Sequence, residues 1–338
     1  MCKLYKKSIS YIFITILIFS LTSCISFKVN YDSSRFLSNL YIANDSTFAN
    51  GTAKNIVVPN ALEEQTVSNI GADGYFIASL DRFSSSFTKF HNPYKRLPMA
   101  SLTKLMTALI VLENCPNLNN EYYVSTDAVD LEKDVSKANL RAGDKLTIRD
   151  LLYGLLVPSG NDAAMCLAEN VFNNYDNFII AMNNEAERLG AVNTHFANPH
   201  GLDSDYHFTT AYDMFLITRE LMKYPIFKDI TTIREYNSNI TQSDGTIRTE
   251  KWMSTNYFVT EELLMSSNVL LEGSKTGNTT NAGNCLVLVV SDKKTGHKYI
   301  SVVLNAKSKR NSYYNSNALL SAIPKWCYLK RKTKMKIM

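Results

Sequence analysis

Apolar positions along this chain follow two rhythms. After Pro98, Leu102, Leu105, Met106, Leu109 and Leu112 recur at helical spacing and predict one buried stripe, with Glu113 and Asn114 as its polar exit and Cys115-Pro116 as its end. Thr147, with Asp150 three residues on, forms a capping-box-like start for Leu151–Leu156, and Pro158-Ser159-Gly160 interrupts that helix. Another helix starts at Asn161-Asp162, where an acid suits the positive helix N-terminus. Helical patterns then run from about Asn177 to Leu189, ended by Gly190, and from Thr210, with Asp213 as its box partner, to about Met222.

The second rhythm is that of strands. Gly74–Ala78 is a short β-like run, and Cys285–Val290 and Tyr299–Leu304 are two largely apolar runs joined by a polar stretch, which predicts an antiparallel hairpin. One early strand, many central helices and late strands imply a sheet assembled from distant segments with a helical subdomain inserted between them.

Length and charge refine this outline. With 338 residues, 45% of them hydrophobic and 20% charged, the chain can bury a large core and is no disulfide-stapled miniature. The net charge of +5 sits at the ends: nine of the 36 basic residues fall in residues 1–23 and 325–338, which hold none of the 31 acids. The remainder is net acidic, so a nucleic-acid partner is not expected.

The basic start, Lys3, Lys6 and Lys7, precedes an apolar stretch, Ile9–Leu21, too short to span a bilayer comfortably. Leu21-Thr22-Ser23-Cys24 resembles a bacterial lipobox, with Cys24 as the acylated residue and a plain signal peptide as the alternative. The expected organisation is a signal peptide over residues 1–23, a Ser- and Asn-rich tether over 24–68, a folded domain over 69–323 and a basic tail over 324–338. The folded part is expected outside the cytoplasmic membrane. Cys115, Cys166, Cys285 and Cys327 show no CxxC spacing, and buried thiols are expected of them.

Three short patterns carry candidate chemistry: Ser101-Leu102-Thr103-Lys104, Ser159-Gly160-Asn161 and Lys275-Thr276-Gly277. Each has decoys. S-x-x-K recurs at Ser86/Lys89 and Ser291/Lys294, S-x-N at Ser254/Asn256 and Ser266/Asn268, and K-T-G at Lys294-Thr295-Gly296. Context selects among them. Ser101 and Lys104 open an apolar-striped helix, where i, i+3 spacing puts an amine beside a hydroxyl and the helix N-terminus aims backbone N–H groups at the reacting centre. Ser159 falls in an interhelical loop, and Lys275-Thr276-Gly277-Asn278 leads toward an apolar strand, whereas Lys294 lies in the expected hairpin turn.

The triple pattern and its surroundings resemble the serine-type D-Ala-D-Ala carboxypeptidases, the low-molecular-mass penicillin-binding proteins. The likeness extends through Arg96–Ala108, Leu151–Ala164 and Asn193–Leu202, and covers roughly residues 72–322. It implies an α+β fold of the β-lactamase/transpeptidase type, an antiparallel sheet flanked by helices with an inserted α-rich lobe. It implies Ser101 as acylated nucleophile, Lys104 as base, Ser159 and Asn161 as proton-relay and positioning groups, and Lys275, Thr276, Gly277 and Asn278 as the substrate side. The oxyanion would lie between the N–H groups of Ser101 and Asn278. Peptidoglycan stem peptides ending in D-Ala-D-Ala and β-lactams are the implied ligands, membrane attachment comes through the N-terminal lipid or uncleaved signal, and neither metal nor cofactor is implied.

The chain departs from the family pattern in places. Leu80–Ser86 lacks the usual Asp-x-x-Thr-Gly turn, Ser274 stands where an apolar residue is common, and Asn278 stands where an aromatic or His is frequent. The β-rich C-terminal domain and amphipathic helix of many relatives are not expected after about residue 322. His195, His200 and His207 show no metal-ligand spacing and are expected to be structural; Arg310 is expected at the surface, with carboxylate binding, by analogy with a basic residue late in relatives, as the alternative. A β-lactamase-like enzyme, a peptidoglycan endopeptidase or transpeptidase, and a non-catalytic cell-wall-binding lipoprotein remain as alternatives.

Overall fold

A computed structural model describes residues 65–80 and 87–324; the export stretch, Cys24, most of the tether, Ser86, Cys327 and the tail after residue 324 lie outside the described residues. Strands β1 (Ala72–Ser79), β2 (Thr88–His91), β3 (Glu121–Tyr123), β4 (Lys145–Thr147), β5 (Glu235–Thr241), β6 (Ile247–Met253), β7 (Val269–Thr279), β8 (Gly283–Asp292) and β9 (Lys298–Ala306) form two antiparallel sheets. The helices are α1 (Thr103–Asn114), α2 (Thr126–Val129), α3 (Ile148–Leu156), α4 (Asn161–Val171), α5 (Tyr175–Leu189), α6 (Ala211–Leu221), α7 (Pro225–Thr231) and α8 (Lys309–Ser321). The α+β architecture expected from the sequence is therefore present.

The main sheet has the order β2-β1-β9-β8-β7 and joins the two ends of the domain across the inserted helices. Its apolar runs are unbroken because both faces are covered. On β1, Phe76 and Ala78 enter the core shared with the helical lobe, whereas Tyr75 and Ile77 enter a second core with Tyr313, Leu319 and Leu320 of α8. The β8–β9 hairpin lies where the sequence put it, with Asp292 N donating to His297 O at its turn. Residues ahead of β1 already join this sheet: Phe90 N donates to Gln65 O and Val67 N to the Tyr75 hydroxyl. Cys115, Cys166 and Cys285 are buried free thiols.

Helix starts follow the capping residues. Thr147 accepts from Asp150 N, Thr210 from Asp213 N and Asn174 from Asn177 N, while Gly190 ends α5 at φ +81. Helix α1 differs from the amphipathic stripe expected. Every residue from Thr103 to Val111 is buried, because α3, α4, α5 and α6 all pack around it. That central position takes Lys104 out of water.

The small sheet, β3-β4-β5-β6, was not anticipated. Its long hairpin, β5–β6, is mostly polar, and its turn carries Asp244-Gly245, with Gly245 N donating to Gln242 O. Trp252 fastens it to the lobe: the indole donates to Ala138 O and stacks on Tyr236, which stacks on Tyr153 of α3. Edge strand β7 was not anticipated either: it contains Lys275-Thr276-Gly277-Asn278, which was expected only to lie ahead of the Cys285–Val290 strand. A bulge at Glu272 shifts its register, and the Glu272 carboxylate accepts from Ser291 Oγ and Lys228 Nζ.

Candidate active site

The candidate residues converge where α1, the α3–α4 loop and β7 meet. Ser101 sits in a single 3₁₀ turn, Ala100–Leu102, that leads directly into α1. The preceding Ala100 has φ +48, a left-handed conformation costing a non-glycine residue on the order of 1–3 kcal/mol. Gly201 permits this turn to seat: a Cβ there would lie 2.1 Å from the Ala100 carbonyl oxygen. Ser159, between α3 and α4, is also left-handed, at φ +66. Its hydroxyl is thereby turned toward β7.

The Lys104 Nζ lies 3.0 Å from Ser101 Oγ, 2.7 Å from Asn161 Oδ1 and 2.7 Å from the His200 carbonyl oxygen. Two of these partners are carbonyl oxygens, which can only accept. A neutral amine satisfies both with its two N–H bonds and presents its lone pair to the serine hydroxyl. Complete burial favours that state, and the nearby Lys275 adds to it, so the Lys104 pKa falls well below 10.5 despite an opposing pull from Asp162. Asp162 itself is occupied elsewhere, accepting from the backbone N–H groups of Ala138, Leu140 and Ala163.

The second amine, Lys275, is likewise buried and is pushed down to about 7 by desolvation and then by Lys309. It donates to Ser159 Oγ at 2.9 Å and to Thr276 O at 2.8 Å. Ser101, Ser159, Asn161, Thr276, Gly277 and Asn278 line one cavity of about 690 Å³. Both lysines lie behind this wall and act on it through the hydroxyls they contact. Gly277 is required by closeness: a Cβ there would lie 3.0 Å from Met99 O and 3.2 Å from the Ala100 side chain. Asn278 is exposed, and its amide closes the hairpin tip by donating to Gly283 O and Asn284 Oδ1.

Several contributors escaped sequence reasoning. Thr255, inside the Ser254/Asn256 decoy, lines the cavity and bonds Thr276 through the two hydroxyls, 2.6 Å apart. Asn256 donates to Ser274 Oγ, which donates to Thr231 O, so the unusual serine ahead of Lys275 is a satisfied buried link. Lys309, at the start of α8, lines the cavity with its Nζ 3.9 Å from the Tyr257 ring centroid; the neighbouring Arg310 is exposed, as expected. The only sequence cue to Lys309 is its proximity to Arg310. His200 contributes its carbonyl, and its imidazole is pushed down to about 3 by burial, Lys104 and His207.

The family profile described as D-alanyl-D-alanine carboxypeptidase, peptidase S11, matches residues 64–308. DacC, a D-alanyl-D-alanine carboxypeptidase of Escherichia coli (strain K12), is 33% identical over 274 residues, covering 76% of this chain and 63% of the relative. DacF of Bacillus subtilis (strain 168) is 31% identical over 65% of this chain and 54% of its own length, so the chain spans less than two thirds of either relative. The D-alanyl-D-alanine carboxypeptidase of Streptomyces sp. (strain K15) is 35% identical over 63% of this chain and 74% of its own. The crystal structure of the Streptomyces K15 DD-transpeptidase superposes with a TM-score of 0.68, at 30% identity, over 76% of this chain and 98% of that one.

The close approach at Gly201 can be weighed against Gly190, which is also left-handed but has nothing within 4 Å of the Cβ position. Gly190→Ala is expected to cost about 1 kcal/mol from backbone conformation alone. Gly201→Ala, at φ +96 against backbone, is expected to cost at least about 2 kcal/mol more, read as the difference in denaturant unfolding free energies.

Proposed function

The chain belongs to the D-alanyl-D-alanine carboxypeptidase family, and from that we propose that it cleaves the terminal D-Ala from peptidoglycan stem peptides through an acyl-enzyme on Ser101. One observation carries the reading: a fully buried amine, its pKa lowered well below 10.5 by desolvation and Lys275, 3.0 Å from the hydroxyl of Ser101.

Ser101 Oγ attacks the penultimate D-Ala carbonyl as its proton passes to Lys104 Nζ. Such general-base help is worth about 10²- to 10⁴-fold. The tetrahedral oxyanion is held by the backbone N–H groups of Ser101 and Asn278, two residues that line the same cavity. Ser159, bonded to Lys275, delivers a proton to the leaving amine, and the C–N bond breaks to release D-Ala. The substrate's terminal carboxylate lies against Thr276, Thr255 and Lys309. The Lys309 cation is held in place by the Tyr257 ring and supplies the charge at that end. Water then hydrolyses the acyl ester on Ser101.

A second fate of the acyl-enzyme is favoured by one finding. The Streptomyces K15 relative carries both descriptions, carboxypeptidase and DD-transpeptidase, and transfer to an amine instead of water uses the same acyl-enzyme. β-Lactams, whose strained amide mimics the scissile bond, form the same ester on Ser101. Among the described residues no helix is long and apolar enough to cross a membrane. Export and lipid attachment at Cys24 complete the reading and are supported by the Leu21-Thr22-Ser23-Cys24 sequence.

A fluorescent penicillin should label the wild-type chain in the membrane fraction and leave Ser101→Ala unlabelled, and the wild type should release free D-Ala from a stem pentapeptide. Labelling that survives in Ser101→Ala would overturn the nucleophile; a wild-type chain that incorporates no more radiolabelled palmitate than Cys24→Ser would overturn the lipid anchor. A second measurement follows from electrostatics. Asn161→Asp places a carboxylate about where the amide oxygen lies, 2.7 Å from Lys104 Nζ. The negative charge favours the ammonium form and raises the Lys104 pKa. The acid limb of the acylation rate should therefore move to higher pH, and an unmoved limb would remove Lys104 as the base.

A further inference from the structure

The loop between α5 and α6 touches the nucleophile's helix at several points. Thr107 Oγ1 donates to Pro199 O, Lys104 Nζ donates to His200 O, and Gly201 lies against the Ala100 carbonyl. A further contact involves a group for which the reaction scheme has no use. The His207 ring is 3% exposed, with Nδ1 3.0 Å from Ala197 N and Nε2 2.7 Å from Thr103 Oγ1.

The direction of these bonds is determined by chemistry. An amide N–H only donates, so His207 Nδ1 accepts and the proton of the neutral ring sits on Nε2. Nε2–H then donates to Thr103 Oγ1, and the threonine hydroxyl donates in turn to the Ala100 carbonyl oxygen, 2.8 Å away. Burial first, then His195 and Lys104, hold the ring's pKa down at about 4, which keeps it neutral at ordinary pH. The result is a one-way chain from Ala197 N–H through His207 and Thr103 to Ala100 O.

That carbonyl belongs to the same planar peptide unit as the N–H of Ser101. In a trans peptide the two bonds point in opposite directions, so anchoring the Ala100 oxygen in the interior turns the Ser101 N–H toward the cavity that Ser101 lines. The anchor acts at a residue held at φ +48. A strained backbone persists only where its surroundings hold it.

We infer that His207 is a positioning residue for acylation: acting through the Thr103 hydroxyl, it locks the Ala100–Ser101 peptide so that the Ser101 N–H faces the developing oxyanion. The inference rests on the reading of Ser101 as the acylated nucleophile. A donor that serves the oxyanion acts on the transition state more than on the bound ligand. Its loss therefore lowers the acylation rate constant and leaves the non-covalent dissociation constant nearly unchanged.

The test uses the full chain, a chromogenic β-lactam, stopped-flow rates fitted separately for binding and acylation, and a thermal midpoint for each variant. His207→Gln keeps a donor that reaches Thr103, and Thr103→Ser keeps the hydroxyl; both should acylate within about threefold of wild type. His207→Asn offers Ala197 a partner but is too short for Thr103, and Thr103→Val keeps shape without the hydroxyl; each should lower the acylation rate constant about tenfold or more. The His207→Asn/Thr103→Val double variant should be no slower than the worse single one. Equal rates for His207→Asn and His207→Gln, or rates that follow the thermal midpoints regardless of the relay, would overturn the inference. A wild-type chain that forms no acyl adduct would sink the Ser101 reading and this one with it, a result distinguished by appearing before any substitution.

Discussion

A fully buried lysine amine, its charged form disfavoured, beside a serine hydroxyl is the constraint on which the rest of this structure turns. A lysine is buried only when its charge is paired or given up. Lys104 meets two carbonyl oxygens and one hydroxyl, with no carboxylate among its hydrogen-bond partners. The nearest relevant acid, Asp162, spends its oxygens on three backbone N–H groups. Desolvation and Lys275 therefore prevail and push the amine toward its neutral form, the form the proposed base requires.

The fold supplies the desolvation by making α1 its central rod. Four helices surround it, and residues Thr103–Val111 are closed to water. The main sheet adds its edge strand β7, which carries Thr276 to the cavity wall and Lys275 behind it. Left-handed backbone occurs at Ala100, just before Ser101, and at Ser159, and both serines line the one cavity. At Ala100 the strained turn is held by close packing against Gly201 and Gly277, where a side chain would collide. Strain and burial are thus concentrated at the candidate site, as the proposed chemistry, which needs its geometry held before substrate arrives, requires.

What could be read from the sequence was what is encoded locally. Thr147, Thr210 and Gly190 mark helix ends through bonds to their own neighbours. The β8 and β9 runs are unbroken because α6 and α8 cover opposite faces of the sheet. The small sheet was hidden because β5 and β6 are polar and held chiefly by Trp252 and Tyr236, whose partners are distant in sequence. The all-round burial of α1 was masked by Thr103, Lys104 and Thr107, polar residues that each find a partner elsewhere in the chain. In the site, the three short motifs were legible as residue types. Thr255 and Lys309 were not, since only folding brings them to the cavity.

The protonation state of Lys104 tests this account most directly. In protein labelled with ¹⁵N at lysine side chains, the Nζ resonance assigned by its absence in Lys104→Met should titrate well below the ordinary lysine value of 10.5. It should show the shift of a neutral amine at mildly alkaline pH while surface lysines remain ammonium. A Lys104 resonance that titrates together with the surface lysines would contradict the account, because a charged Lys104 has no lone pair with which to take the proton of Ser101.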